Sequence, residues 1–227
     1  MSKTFWKRLA AGALSLCLLT ALTACGGGLT EKDAETYVKG YLDAAYLGSY
    51  DQAYIDLVED MTMDDAKQDH RDYVEIEAQN MLIFLEVDYP TDEVVSAAEE
   101  LMEEIYSRAQ YKVAPASKTK DGDFVIEVTV SPIELFSLLS DEDFFEALDE
   151  AGFNEAETEE ELEASDAIYG PLMLEKVKAL LPQLTYGEDQ VIMLHLKADD
   201  DGYYSLVETG MDTLDKSVID YFGSYMK

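Results

Sequence analysis

The alternation of Phe124, Ile126, Val128 and Val130 with Val125, Glu127 and Thr129 constrains this chain more than any other feature. A period of two places one set on one face of a strand and cannot be accommodated by a helix. Asp121-Gly122 stands just before this run and reads as a hairpin turn linking it back to Tyr111-Lys112-Val113. A second segment repeats the arrangement, with alternation over 191–198, then Asp201-Gly202, then a further apolar stretch over 203–208. Ile192, Leu194 and Leu196 fall on one side of it; Val191, Met193, His195 and Lys197 fall on the other. Two hairpins predict four short antiparallel strands.

Everything before the first hairpin follows a helical period. Thr30 and Asp33 form a capping pair, and Ala34, Tyr37, Val38, Tyr41, Leu42, Ala45 and Tyr46 recur at helical spacing up to Gly48. Tyr50, Tyr54, Ile55 and Val58 make a short apolar set before the next cap at Thr62 to Asp65. The following helix carries Ala66, Tyr73, Val74, Met81, Phe84 and Leu85 inward. Pro90-Thr91 ends it and opens another, striped by Val94, Val95, Ala98, Leu101, Met102, Ile105, Tyr106 and Ala109. The outer face of that helix is Glu99, Glu100, Glu103 and Glu104, the ordinary solvated face of an amphipathic helix.

Between the hairpins lies a long stretch, 131–187, expected to be a helical insertion. Ser140 caps a helix holding Phe144, Phe145 and Leu148 that ends at Gly152, and Thr158 with Glu161 caps another beyond an acidic segment from Glu155 to Glu163. Gly170-Pro171 is expected to interrupt that second helix, because proline lacks the N–H and crowds the preceding turn. The apolar content is too high for a free linker, so the insertion should pack on the body. A final helix should bury Leu214, Val218, Phe222 and Tyr225.

The N-terminus carries an address. Lys3, Lys7 and Arg8 precede an uncharged run over 9–24, sixteen residues long. That is about 24 Å of helix at roughly 1.5 Å per residue, short of the about 20 residues that span a bilayer. It reads as a signal h-region and not as an anchor. Leu22-Thr23-Ala24-Cys25 closes it and resembles the lipobox of bacterial lipoproteins, whose signal is removed and whose cysteine receives a diacylglyceryl group. That resemblance implies a signal peptide over 1–24 and lipid attachment, with fatty acids such as palmitate, at Cys25. Gly26-Gly27-Gly28 follows as a flexible tether within 25–29, leaving 30–227 as a single domain. Two acyl chains suffice for stable attachment to the extracytoplasmic face of the cell membrane.

Cys17 and Cys25 are the only cysteines, the first inside the signal and the second taken by lipid, so burial and not a disulfide must hold the domain together. Acids outnumber bases 49 to 16, a formal charge of −33, and loss of Lys3, Lys7 and Arg8 makes the balance more negative still. Such a field repels phosphate backbones and anionic headgroups, which excludes nucleic acid and leaves membrane contact to the lipid alone.

Familiar catalytic patterns are missing. No G-x-S-x-G, H-E-x-x-H, G-x-x-x-x-G-K or G-x-G-x-x-G occurs, and His70 and His195 are the only histidines. His70 is flanked by Asp69, Arg71 and Asp72, as an edge residue would be. His195 sits mid-strand. Asp199, Asp201, Gly202 and Glu208 fall at calcium-loop positions, but Lys197 occupies the first ligand position and the flanks alternate like strands, so a hairpin turn is the better reading. No catalytic, cofactor or metal residue is therefore assigned.

The element order, with Phe124-Val125-Ile126-Glu127-Val128-Thr129-Val130-Ser131-Pro132 closing one hairpin and Asp201-Gly202-Tyr203-Tyr204 turning the other, is similar to that of small lipoproteins of Gram-positive bacteria. Many of these resemble nuclear transport factor 2-like or cystatin-like α+β domains with helices packed in a curved sheet. The resemblance implies an α+β body whose pocket the insertion could cover. The expected function is that of a tethered, non-enzymatic binding domain for an unknown protein or small molecule. The alternatives are an enzyme using His195 and nearby carboxylates in a cone-shaped pocket, and a structural or cation-buffering envelope protein.

Overall fold

In the computed structural model the protein is described over residues 28–153, 156–200 and 202–221. The expected signal peptide, the expected lipid attachment at Cys25 and the expected burial of Phe222 and Tyr225 lie outside these residues. Capping boxes start the helices as the sequence requires: Thr30 with Asp33 opens α1 (Glu31–Leu47), and Thr62 with Asp65 opens α3 (Met63–Phe84). Between them lies the single turn α2 (Gln52–Ile55), while Thr91 caps α4 (Asp92–Tyr106). Gly48 ends α1 in the left-handed conformation, at φ 57°.

The sheet is antiparallel, ordered β1 (Gln110–Val113), β3 (Phe124–Ser131), β6 (Gln190–Ala198), β7 (Tyr204–Leu206), with the two-residue β2 (Ser117–Lys118) beside β3. Register follows the predicted alternation. Phe124, Ile126 and Val128 pair with Leu196, Leu194 and Ile192 on the buried face, while Val125, Glu127 and Thr129 pair with His195, Met193 and Val191 on the other. Both hairpins close with the same five-residue pattern. The N–H groups of Thr119 and Asp199 donate to the carbonyls of Asp123 and Tyr203, and Gly122 and Gly202 take positive φ. The final helix α7 (Glu208–Val218) and α1 pack on the buried face, and α3 and α4 pack outside α1. The chain is thus α+β, with a curved sheet covered by helices on one side.

The insertion departs from expectation in two ways. Its ends are not helical: β4 (Ile133–Glu134) pairs with β5 (Thr185–Tyr186), and Ile133 also bridges to Ile219 after α7. This small ribbon returns the chain to the point where it left and closes the insertion as a loop. Secondly, Gly170-Pro171 does not interrupt the helix. After α5 (Asp141–Glu150), α6 runs unbroken over Glu159–Leu180 with Pro171 inside it.

Tertiary contacts explain that continuity. Asp166 accepts hydrogen bonds from the backbone N–H groups of Asp88 (3.0 Å) and Tyr89 (2.7 Å), and the Tyr169 hydroxyl donates to the Leu85 carbonyl at 2.8 Å. Gly170 lets α6 approach α4 closely: a Cβ there would lie 3.0 Å from Val94 Cγ1, so the valine would have to give by a few tenths of an ångström. These anchors hold the turn before the proline against the α3–α4 junction and offset the backbone bond that Pro171 cannot make.

Candidate functional site

Two places in the body combine polar and apolar groups in a way that packing alone does not require. The first is a groove of about 550 Å³ between α4 and α6. Val94, Leu101 and Leu174 form its floor, Ala97, Ala167 and Pro171 its walls, and Glu93, Glu100, Glu104, Glu175 and Lys178 its rim. The two helices run parallel. Val94 abuts Gly170 near one end; at the other, the Arg108 guanidinium donates to the Leu181 carbonyl at 2.9 Å and pairs with Glu104 at 3.0 Å. On α4 the lining positions recur at helical spacing, and the same holds on α6. The sequence shows the glutamates of α4 as a solvated face; that two of that run, Glu100 and Glu104, rim a groove depends on where α6 docks.

The second place is a knot of tyrosines and carboxylates where α1, α3, α4 and α7 meet. Tyr46 and Tyr106 stack with ring centroids 5.5 Å apart, and Tyr73 meets both edge-on at 5.6 Å. Tyr46 donates to Asp215 at 2.6 Å, Tyr111 donates to Asp43 at 2.6 Å, and Asp43 also pairs with Lys39. Tyr73 donates to the Tyr106 hydroxyl at 3.3 Å, and the Glu77 carboxylate lies near enough to both hydroxyls to act on them electrostatically. Burial, together with the facing Asp215 carboxylate, pushes Glu77 up to about 7 against the pull of Tyr106 and Asn80. Burial likewise raises the Tyr46, Tyr73, Tyr106 and Tyr221 hydroxyls well above the ordinary phenol value. Among the described residues the buried Tyr221 hydroxyl has no hydrogen-bond partner. The rings are in direct contact, so the knot is a filled polar core. The sequence showed its tyrosines as a helical stripe; its carboxylates carry no local signal.

The sequence-derived candidates fall elsewhere. His195 lies on the exposed face of the sheet opposite Val125, beside Met193 (46% exposed) and Val191 (59% exposed). Alternation turns Leu194 and Leu196 inward beneath the helices and His195 outward, onto the face those helices do not cover. His70 is half-buried, and its Nδ1 donates to the Ala45 carbonyl at 3.0 Å, satisfying the last turn of α1. Asp199 accepts from the Tyr203 N–H at 2.8 Å, as a hairpin turn requires, while Asp201 lies outside the described residues. Among the described residues no group of three or more His, Cys, Asp or Glu is gathered as a metal site, and no helix is long and apolar enough to cross a membrane.

No protein-family model and no curated protein matches this chain. Among solved structures, the fold is similar to that of a Bacillus subtilis subsp. subtilis str. 168 protein described as "a putative lipoprotein (ycdA)", with a TM-score of 0.52 and 18% sequence identity. The match covers 83% of this chain and spans 56% of that one, a likeness of fold.

Proposed function

We propose that this chain is a lipid-tethered protein of the extracytoplasmic membrane face whose body acts as a non-enzymatic binding module. One observation carries the binding reading: α4 and α6 leave an open, apolar-floored groove of about 550 Å³ on the surface, within the range of ligand and peptide sites. Leu22-Thr23-Ala24-Cys25 behind a short uncharged run supports the tether, as does the likeness of fold to a protein described as a lipoprotein. The helix-covered curved sheet supports kinship with nuclear transport factor 2-like and cystatin-like domains. Membrane contact is through the lipid on Cys25, and the partner is a protein or small molecule.

The test is metabolic labelling of the full chain with an alkyne fatty acid, together with protease treatment of intact cells. Label on the wild type, none on Cys25→Ala, and cleavage from outside are the expected results. A product that stays inside the cell, unprocessed and unlabelled, overturns the proposal.

A further inference from the structure

The groove between α4 and α6 has chemistry that selects its occupant. Its rim carries four carboxylates and one ammonium. Glu104 is already paired with Arg108, while Glu93, Glu100 and Glu175 make no ion pair among the described residues. The wall adds one more acceptor. Pro171 has no N–H, so the Ala167 carbonyl, one helical turn before it, lacks its usual donor, and both residues line the groove. Acceptors and negative charge above an apolar floor match a ligand with apolar side chains flanked by cationic donors.

Length narrows the choice further. The helices are pinned at Val94 against Gly170 and at Arg108 against the Leu181 carbonyl. The α4 side of that interval covers about fourteen residues, or roughly 21 Å of helix. An open trough of that length between two parallel helices has the shape filled by a third helix laid along it.

We propose that this groove docks a basic amphipathic helix of a partner protein, about four turns long, with its apolar stripe on Val94, Leu101 and Leu174. Its Lys or Arg side chains face Glu93, Glu100 and Glu175. The inference rests on the binding-module reading and names the partner class of that site. Apolar burial supplies most of the affinity; the rim steers encounter and sets orientation.

The test uses the full chain in a nonionic detergent and a dye-labelled 14-residue Lys/Leu peptide with leucines at helical spacing, followed by fluorescence anisotropy. Saturable binding is expected, and a scrambled peptide of the same composition should bind at least about tenfold more weakly. The E93K/E100K/E175K chain should lose about tenfold or more. E127K/E188K/E208K, which changes net charge equally at exposed sites outside the groove lining, should lose less than about threefold. Pro171→Ala restores a donor to the Ala167 carbonyl, so affinity should fall several-fold while the thermal midpoint rises. That opposite movement separates lost docking from lost folding.

Equal losses from both charge-reversed triples, or equal binding of the scrambled peptide, overturn the proposal, since general acidity would then explain the attraction. Absence of saturation overturns it too. So does a dimer of the chain that Ala97→Phe disrupts without any peptide affinity, because the face would then join two copies. Crosslinking of the full chain in its own cells separates the two readings. A partner still captured by E93K/E100K/E175K sinks the groove while sparing the binding module; no partner captured by the wild type sinks both.

Discussion

The hydroxyl of Tyr46 donates a 2.6 Å hydrogen bond to the Asp215 carboxylate, joining the last turn of α1 to α7 across 169 positions of sequence. Tyr46 is almost wholly buried, and its ring also stacks on Tyr106. One side chain thereby ties the first helix, the last helix and the end of α4. Hydrogen bonds to charged acceptors contribute roughly 1.5–3 kcal/mol. Tyr46→Phe should keep the stacking and lose about 2 kcal/mol of stability in urea unfolding, and a double-mutant cycle with Asp215→Asn should recover most of that as coupling. Additive single losses would show that the bond contributes nothing.

Glu77 makes stability depend on pH in an unusual direction. Its carboxyl is raised to about 7 by burial and the Asp215 carboxylate, so the folded state holds a proton that the unfolded state releases in the usual carboxylate range. The folded state binds more protons across that window, and its stability must fall as pH rises from about 5 to about 8. The gap corresponds to at most about 3 kcal/mol. Glu77→Gln should flatten the dependence and be more stable than wild type at pH 8. Thermal melts at pH 5 and pH 8 check this, and an unchanged slope in the variant would rule Glu77 out as its source.

Gly40 sits mid-helix in α1, where alanine is ordinarily favoured by about 1 kcal/mol. A Cβ there would lie 2.2 Å from Tyr54 Cβ and 2.5 Å from Tyr54 Cγ. Overlap with the stem of a buried ring cannot be relieved by a rotamer change, so sterics outweigh propensity. Gly40→Ala should destabilise by about 2 kcal/mol or more, read from the denaturation midpoint. A stabilised variant would mean that α1 and α2 do not cross as closely as found.

Asp166 holds the insertion to the body through two backbone donors. Its side chain is buried, and desolvation raises its pKa against those two bonds. Asp166→Ala leaves the Asp88 and Tyr89 N–H groups without this acceptor, at roughly 1–3 kcal/mol each. The variant should lose about 3 kcal/mol and show faster hydrogen exchange at those two amides before any change in the sheet. Uniform acceleration across the protein would point instead to global destabilisation.

Local signals carried most of the secondary structure. Thr30, Thr62, Ser140 and Thr158 each form the capping box that their sequence spacing predicts, because the box involves only neighbouring backbone. Alternation similarly determined which residues of β3 and β6 face inward, including the outward position of His195. Pro171 was misleading for the same reason that the caps were not: its effect on a helix depends on Asp166, Tyr169 and Gly170 meeting residues some eighty positions away.

The sequence by itself thus determined the order and type of the elements, and hence the α+β class, through backbone sterics and the burial period of each segment. Only the tertiary structure decided that β4 and β5 close the insertion, that α6 lies along α4 to make a groove, and that Glu77 faces Asp215. Each of these joins residues far apart in the chain. Their energy comes from shape and charge complementarity between surfaces, which no local pattern of residues encodes.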